Sequence, residues 1–201
     1  MRISLEHRGS PKWYAYLGIA AVVISYASIS ISILRSPWFS WTNNALSDLG
    51  NTSDPRNLAD GVALIFDSSL IISGVLTTIF SILLLRTEHF SWRYGIWTIP
   101  LSVASVDLIL IGIFNESFGE RHYVVSIIFF FVTAVTLLIF AYVSFPLGSP
   151  KIGAIALVLG VLCASVWIAR WPWSGVAIQE TITSLASAVF VVLISLSRIR
   201  H

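Results

Sequence analysis

The sequence predicts an all-α membrane protein, a polytopic bundle of six transmembrane helices. Of its 201 residues, 56% are hydrophobic and 11% are charged, whereas soluble domains carry charge on roughly a quarter of their residues. The mean hydropathy is +0.85, and the apolar residues are gathered in long runs. A soluble fold of this length would expose a large part of that apolar surface to water. A lipid bilayer removes this conflict.

Six apolar segments are long enough to cross a bilayer, whose hydrocarbon core of about 30 Å takes roughly 20 helical residues. They cover approximately 13–34, 61–85, 95–114, 123–145, 152–169 and 176–197. They lack the alternation of outer-membrane strands, and a helix satisfies its own backbone in lipid. We therefore interpret 1–201 as a single transmembrane domain, with 35–60 as its long outer loop.

Basic residues are distributed unevenly between the two ends of the predicted bundle. One end holds Arg2, Arg8, Lys12, Arg86, Arg93, Lys151, Arg198 and Arg200, and the other holds Arg35, Arg56, Arg121 and Arg170. The positive-inside rule then places both termini in the cytoplasm of a multi-pass protein of the cell membrane. The net charge of +2 gives no reason to expect a nucleic-acid partner. We expect membrane lipid as the partner, and the sequence leaves the oligomeric state open.

Standard catalytic motifs are missing from the sequence. The single cysteine, Cys163, permits no intrachain disulfide and no cysteine-rich metal motif. There is no phosphate-binding glycine loop, no His-Glu-x-x-His and no Gly-x-Ser-x-Gly. The sequence alone does not establish catalysis.

Two carboxylates interrupt the predicted spans, Asp67 in the second and Asp107 in the third. An acid in hydrocarbon costs a few kcal/mol on insertion scales and is a functional candidate by default. Each lies roughly 10 Å below the outer interface at 1.5 Å of rise per residue. Asp60, seven residues before Asp67, falls on the same helical face and extends the acidic track to the surface. This pattern would suit a cation or proton site.

More polar residues gather where the helices reach the outer side. The sixth helix carries Glu180, Thr183, Ser184 and Ser187 on one face, which we expect to point into the bundle. Other residues predicted at this end are Asn115, Glu116, Glu120, Arg121, His122 and Arg170. Such a cluster could hold a divalent metal, bind a lipid head group or relay protons. Polar groups in a bundle can also simply join helices, at about 0.6 kcal/mol per hydrogen bond.

An ordered set of short motifs resembles a six-span family of unknown function, domain of unknown function 998. The set is Asn44-Ala45-Leu46-Ser47-Asp48-Leu49-Gly50, then Gly112-Ile113-Phe114-Asn115-Glu116, then His122 and Glu180. More distantly, the layout is similar to the six-span proteins that include damage-regulated autophagy modulators and a GPI-anchor remodelling factor. That resemblance implies lipid-linked roles. The residues of this chain that match the pattern of those proteins are Ser47, Asp48, Gly50, His122 and Glu180.

Three functions remain open from the sequence. The first is binding of a lipid head group or partner in a pocket of the outer leaflet. The second is a metal-dependent hydrolase or acyltransferase, with the metal on Asp48, His122 and Glu180. The third is a proton- or cation-coupled transporter using Asp67 and Asp107. The candidate catalytic residues are Ser47, Asp48, His122 and Glu180, and the candidate pocket residues are Asp60, Asp67, Asp107, Asn115, Glu116 and Arg170.

We predict that the outer polar residues converge into one site beneath the long loop. Ser47, Asp48, Glu116, His122 and Glu180 form this set. A ring nitrogen of His122 should then lie within hydrogen-bond distance of Asp48 or Glu180, directly or through one water or metal, which would fix the imidazole tautomer.

Overall fold

A computed structural model describes residues 13–87, 95–146 and 150–200, and this part of the chain is all helical. Its helices are α1 (Tyr14–Leu34), α2 (Pro55–Ala59), α3 (Val62–Thr87), α4 (Thr98–Ile113), α5 (Glu120–Ser144), α6 (Pro150–Ile168) and α7 (Ala177–Arg200). Two 3₁₀ turns cover Leu46–Gly50 and Glu116–Phe118. The basic residues Arg2, Arg8, Lys12 and Arg93, used above for orientation, lie outside the described residues.

Five helices are long and apolar enough to cross a membrane, namely α1, α3, α5, α6 and α7. The protein is therefore an integral membrane protein. The third predicted span, 95–114, is shorter in the structure, because α4 has 16 residues and runs from Thr98 to Ile113. At 1.5 Å per residue it is about 24 Å long. The structure thus has five full-length helices and one short apolar helix where the sequence predicted six spans.

The six long elements form a closed ring in which each helix packs on the next one along the chain. The pairs are α1–α3, α3–α4, α4–α5, α5–α6 and α6–α7, and α7 closes the ring against α1. The α3–α4 pair makes the most extensive contact. Gly74 and Gly112 account for it, because a Cβ at either position would meet the backbone of the facing helix.

Three buried aromatic rings join α4, α5 and α7 at the end of the bundle opposite the long loop. The Trp97 ring lies edge-on to Phe140 at 5.0 Å and to Phe190 at 5.7 Å between centroids, and Phe140 and Phe190 lie 4.9 Å apart. Edge-to-face pairs are favourable at these separations. This cluster fixes the end of the bundle away from the polar residues.

The long loop 35–60 folds over the other end of the bundle as an ordered cap. The carbonyl of Asn44 accepts from the backbone N–H groups of Val176 and Ala177, so the loop is bonded directly to the start of α7. Asn57 is fully buried, and its amide donates to the carbonyls of Asp48 and Asn51 at 2.8 and 3.0 Å. These bonds fix the position of the 3₁₀ turn 46–50 beside the ends of α5 and α7.

Candidate functional site

A groove of about 630 Å³ runs between α5 and α6, within the size range of small-molecule sites. Its walls are apolar, and Phe131 and Ile168 on its rim are exposed on the outside of the bundle. The groove therefore opens sideways, toward the position of lipid. Its described lining residues are Ala45, Ser47, Glu116, His122, Tyr123, Ser126, Ile127, Phe130, Phe131, Ala134, Val135, Leu138, Cys163, Ala164, Trp167, Ile168, Val176 and Glu180.

Four polar side chains from four different segments close the loop end of this groove. Ser47 comes from the first 3₁₀ turn, Glu116 from the second, His122 from α5 and Glu180 from α7. The Ser47 hydroxyl donates to Oε2 of Glu116 at 3.0 Å, and the same oxygen lies 3.0 Å from Nε2 of His122. We call these four residues the polar cap.

The imidazole of His122 is buried, and the surrounding atoms determine its tautomer. Nδ1 lies 2.8 Å from the carbonyl oxygen of Phe114, which can only accept, so Nδ1 carries a hydrogen. Nε2 then faces the Ser126 hydroxyl at 3.1 Å and Glu116 at 3.0 Å. The contact with Glu116 needs a proton on the imidazole or on the carboxyl group. The ring is therefore held by Phe114 on its Nδ1 side and by Ser126 and Glu116 on its Nε2 side.

Glu180 occupies the first turn of α7 and is 7% exposed. Its Oε2 accepts from the backbone N–H of Leu46 at 2.5 Å, and a helix N-terminus also favours a negative charge. The carboxyl group of Glu180 thus joins the loop cap to the groove.

A smaller central cavity of about 130 Å³ adjoins the groove on its inner side. Ser47, Ser126, Phe130 and Glu180 line both spaces. The polar face predicted for the last helix points here: Ser184 and Ser187 line the cavity, and Ser184 accepts from the Tyr26 hydroxyl at 3.1 Å. The polar cap therefore has an apolar groove on one side and a partly polar cavity on the other.

No direct hydrogen bond between Asp48 and His122 is present among the described residues. The Oδ2 of Asp48 accepts from the amide of Asn44 at 2.7 Å and from the backbone N–H of Ala45 at 3.1 Å, which shapes the loop. Glu180 is not the partner either, because Glu116 takes that position. In the part of the chain that the structure describes, no group of three or more His, Cys, Asp or Glu side chains is arranged to hold a metal.

The two acids within the helices are buried separately. Asp67 accepts from the Asn115 amide at 2.8 Å, and a Cβ on Gly50 would press against the Asp67 carboxylate. Asp107 is 5% exposed, and its Oδ2 has no hydrogen-bond partner among the described residues. Neither acid lines the groove or the central cavity.

Asp60 and Arg170, also predicted as pocket residues, are exposed and lie apart from the groove. Asp60 ends α2, and its backbone carbonyl accepts from Arg35 at 3.3 Å. Arg170 follows α6 and precedes Trp171, which stacks on Trp173. The structure therefore gathers Ser47, Glu116, His122 and Glu180 and leaves these two outside.

Sequence reasoning missed the groove itself and Ser126. A groove depends on how two neighbouring helices diverge, which periodicity does not reveal. The sequence could have indicated Ser126, because a serine four residues after a histidine lies on the same helical face and can contact it. Asn57 was also missed, because its role depends on the folded loop rather than on a motif.

Comparison with known proteins gives a family and no closer relative. No curated protein and no solved structure matches the chain. The family model described as Protein of unknown function (DUF998) matches residues 19–197, from within α1 to near the end of α7. The match covers the loop, both 3₁₀ turns and every residue of the polar cap, so the chain belongs to the DUF998 family.

Proposed function

We propose that this protein binds an amphiphilic membrane molecule, with an aliphatic chain in the groove between α5 and α6 and a polar head at the polar cap. The observation that carries the proposal is the groove, apolar along its walls and polar at one end. Binding sites with this division take their affinity from the apolar walls and their orientation from a few polar groups. The lateral opening gives such a molecule access from the bilayer.

The proposal includes six membrane crossings with the polar cap in the outer leaflet of the cell membrane. With α4 crossing as a short sixth span, consecutive helices alternate in direction. The polar cap then lies at the end with four basic residues, and the other end has eight. The distant resemblance to six-span proteins with lipid-linked roles points to the same class of ligand.

Native mass spectrometry of the purified protein tests this function. We expect the wild type to retain a lipid-sized adduct. Ala164→Phe should lose it, because Ala164 lines the groove and a phenyl ring would fill the space. Val158→Phe is the matched control, since Val158 on the same helix is 67% exposed and does not line the groove.

The result is decisive only if both variants fold, which their melting temperatures in detergent will show. An adduct retained equally by Ala164→Phe and Val158→Phe would place the bound molecule elsewhere and overturn the proposal. Absence of any adduct in the wild type, together with no binding of added long-chain alcohols, would do the same.

Acyl transfer or ester hydrolysis is a second candidate, favoured by the contact between Ser126 and His122. With Nδ1 fixed as a donor, a neutral Nε2 can take the proton of the Ser126 hydroxyl while the oxygen attacks an ester carbonyl. The leaving alcohol then takes that proton, and water or a second alcohol releases the acyl group by the same route.

A lipid-like fluorophosphonate, which reacts with activated serines, tests this candidate. Labelling of the wild type that disappears in Ser126→Ala supports it. Ser165→Ala is the control, because the Ser165 hydroxyl bonds to its own helix at Val161 and lies outside the groove. No labelling of the wild type, or equal labelling of Ser126→Ala, would exclude Ser126 as a nucleophile.

A further inference from the structure

We infer that the head group of the bound molecule is a cationic amine, so that the ligand is a long-chain amine without a phosphate. This inference rests on the proposed function and specifies its ligand. It is carried by the charges of the polar cap and by the shape of the groove that leads to it.

Acids outnumber bases around the polar cap. Glu116 and Glu180 line the groove at the cap, and His122 is the base beside them. Among the described lining residues there is no Lys or Arg. His122 can balance one carboxylate at most, and its Nε2 already lies 3.0 Å from Glu116. With both lining acids and the imidazole ionised, these groups would therefore carry a net charge of −1, two acids against one base.

This imbalance selects against anionic head groups. Charges repel strongly where water is excluded, because the effective dielectric constant is low, and a buried charge needs a partner. A phosphate at the cap would bring a further negative group into contact with these two carboxylates. An ammonium group would supply the missing positive charge instead.

The hydrogen-bonding capacity of the cap agrees with its charge. Carboxylate and hydroxyl oxygens of Ser47, Glu116 and Glu180 are acceptors, and an ammonium group has three donors and no acceptor. Arg170, a guanidinium that would suit a phosphate, is exposed and does not line the groove. A hydroxyl head group could bond here but would leave the charge unbalanced.

The groove also limits where the aliphatic chain can go. Below the cap its walls are hydrocarbon and aromatic side chains from α5 and α6, among them Ile127, Phe131 and Leu138. Burial of methylene groups against such walls stabilises binding by about 0.8 kcal/mol each. The head group is thus positioned at the carboxylates by a chain that lies between the two helices.

Competition among hexadecylamine, hexadecanol and hexadecyl phosphate tests the head-group assignment. Each is titrated, at matched mole fraction in neutral-lipid nanodiscs, against a fluorescent long-chain probe bound to the purified full-length protein. We expect hexadecylamine to compete about tenfold better than hexadecanol, as for a charge-assisted hydrogen bond. Hexadecyl phosphate should compete least.

Two variants test whether the carboxylates of the polar cap produce the preference for the amine over the alcohol. Glu180→Gln should reduce the advantage of the amine over the alcohol by roughly tenfold, while its amide oxygen can still accept from Leu46. Glu116→Gln serves as a second variant if Glu180→Gln does not fold. Asp60→Asn removes an exposed carboxylate away from the groove and should change nothing, which controls for surface charge.

The outcomes separate this inference from the proposed function. If Ala164→Phe abolishes competition by all three molecules but the alcohol or the phosphate equals the amine, the groove binds lipid and the amine assignment is wrong. If an amine advantage persists unchanged in Glu180→Gln and Glu116→Gln, the cap does not produce it. If no molecule competes, or Ala164→Phe has no effect, the proposed function itself fails.

Discussion

At the scale of single residues, the motif residues of this chain divide between positions inside the packed structure and positions that face the groove. Gly50 and Asn115 surround the buried Asp67, one by close packing and one by a hydrogen bond of 2.8 Å. Ser47 and Glu180 face the groove instead. An acid in a membrane bundle is tolerated where it is paired within the protein. Asp67 therefore has a structural explanation in its contact with Asn115, separate from any ligand.

Replacing Asn115 by leucine should destabilise the protein. The change leaves the Asp67 carboxyl group buried without its amide donor, which costs about 1–3 kcal/mol. The double variant Asp67→Leu/Asn115→Leu should recover part of the loss, because both polar groups are then gone. Thermal unfolding in detergent measures this, with the exposed Asp60→Ala as control. Equal stability of Asn115→Leu and the wild type would show that the pair contributes nothing.

The sequence could indicate which residues meet at the cap but not how they pair. His122 and Glu180 lie at the starts of long helices, and Ser47 and Glu116 lie in the loops on the same side of the bundle, which brings the four together. The partner of His122 depends on the 3₁₀ turn Glu116–Phe118, which places Glu116 against the ring. Asp48 turns toward Asn44 because of the loop conformation. Neither local geometry follows from hydrophobic periodicity.

At the scale of elements, hydropathy predicted the helices well and their ends less well. The third span begins at Thr98 rather than at residue 95, although Trp97 just before it is almost fully buried. Trp97 is buried in the aromatic cluster but precedes the helix. A prediction from hydropathy includes such a residue in the span, because hydropathy reports burial rather than helical conformation. The short helix α2 and the two 3₁₀ turns were unforeseen, because they depend on contacts between the loop and distant helices.

The close packing of α3 against α4 depends on Gly112. A Cβ at this position would meet the backbone oxygen of Asp67 and the side chain of Ile71, so Gly112→Ala should push the helices apart. Such overpacking typically costs about 1–3 kcal/mol. The melting temperature in detergent should fall accordingly.

Gly160→Ala on α6 is the matched control for this substitution. Its Cβ would meet mainly the side chain of Leu138, which can rotate away, so the loss of stability should be smaller. If Gly112→Ala is as stable as Gly160→Ala, backbone contact between α3 and α4 does not determine their packing.

At the scale of the whole molecule, the described residues form a ring of helices with a lateral opening between α5 and α6, next to the polar end of the bundle. The ring closes through α1 and α7, and the 35–60 loop covers the polar end by bonding to the start of α7. The groove between α5 and α6 leads from the outside of the bundle to that end. A groove at one end of the bundle would take the proposed ligand from one leaflet only. The orientation of the protein in the membrane determines whether this is the outer or the inner leaflet.

Cysteine labelling in intact cells tests the orientation. In a Cys163→Ala background, Ser53→Cys in the exposed part of the loop should react with an impermeant thiol reagent. Lys151→Cys at the opposite end should be protected until the cells are permeabilised, because the positive-inside rule predicts that the basic end faces the cytoplasm. Both positions are exposed in the structure, so burial does not account for a difference. The reverse pattern would place the polar cap in the inner leaflet.

The central claim, that the groove binds an amphiphile, is tested most directly by photocrosslinking. Long-chain amine and alcohol probes that carry a diazirine on the chain are irradiated with the protein in nanodiscs, and the adducts are mapped by mass spectrometry. We expect adducts concentrated on Ile127, Phe131 and Ala164, displaced by unlabelled amphiphile and reduced in Ala164→Phe. Adducts spread evenly over exposed residues such as Val23 and Leu64, with no displacement, would contradict the claim.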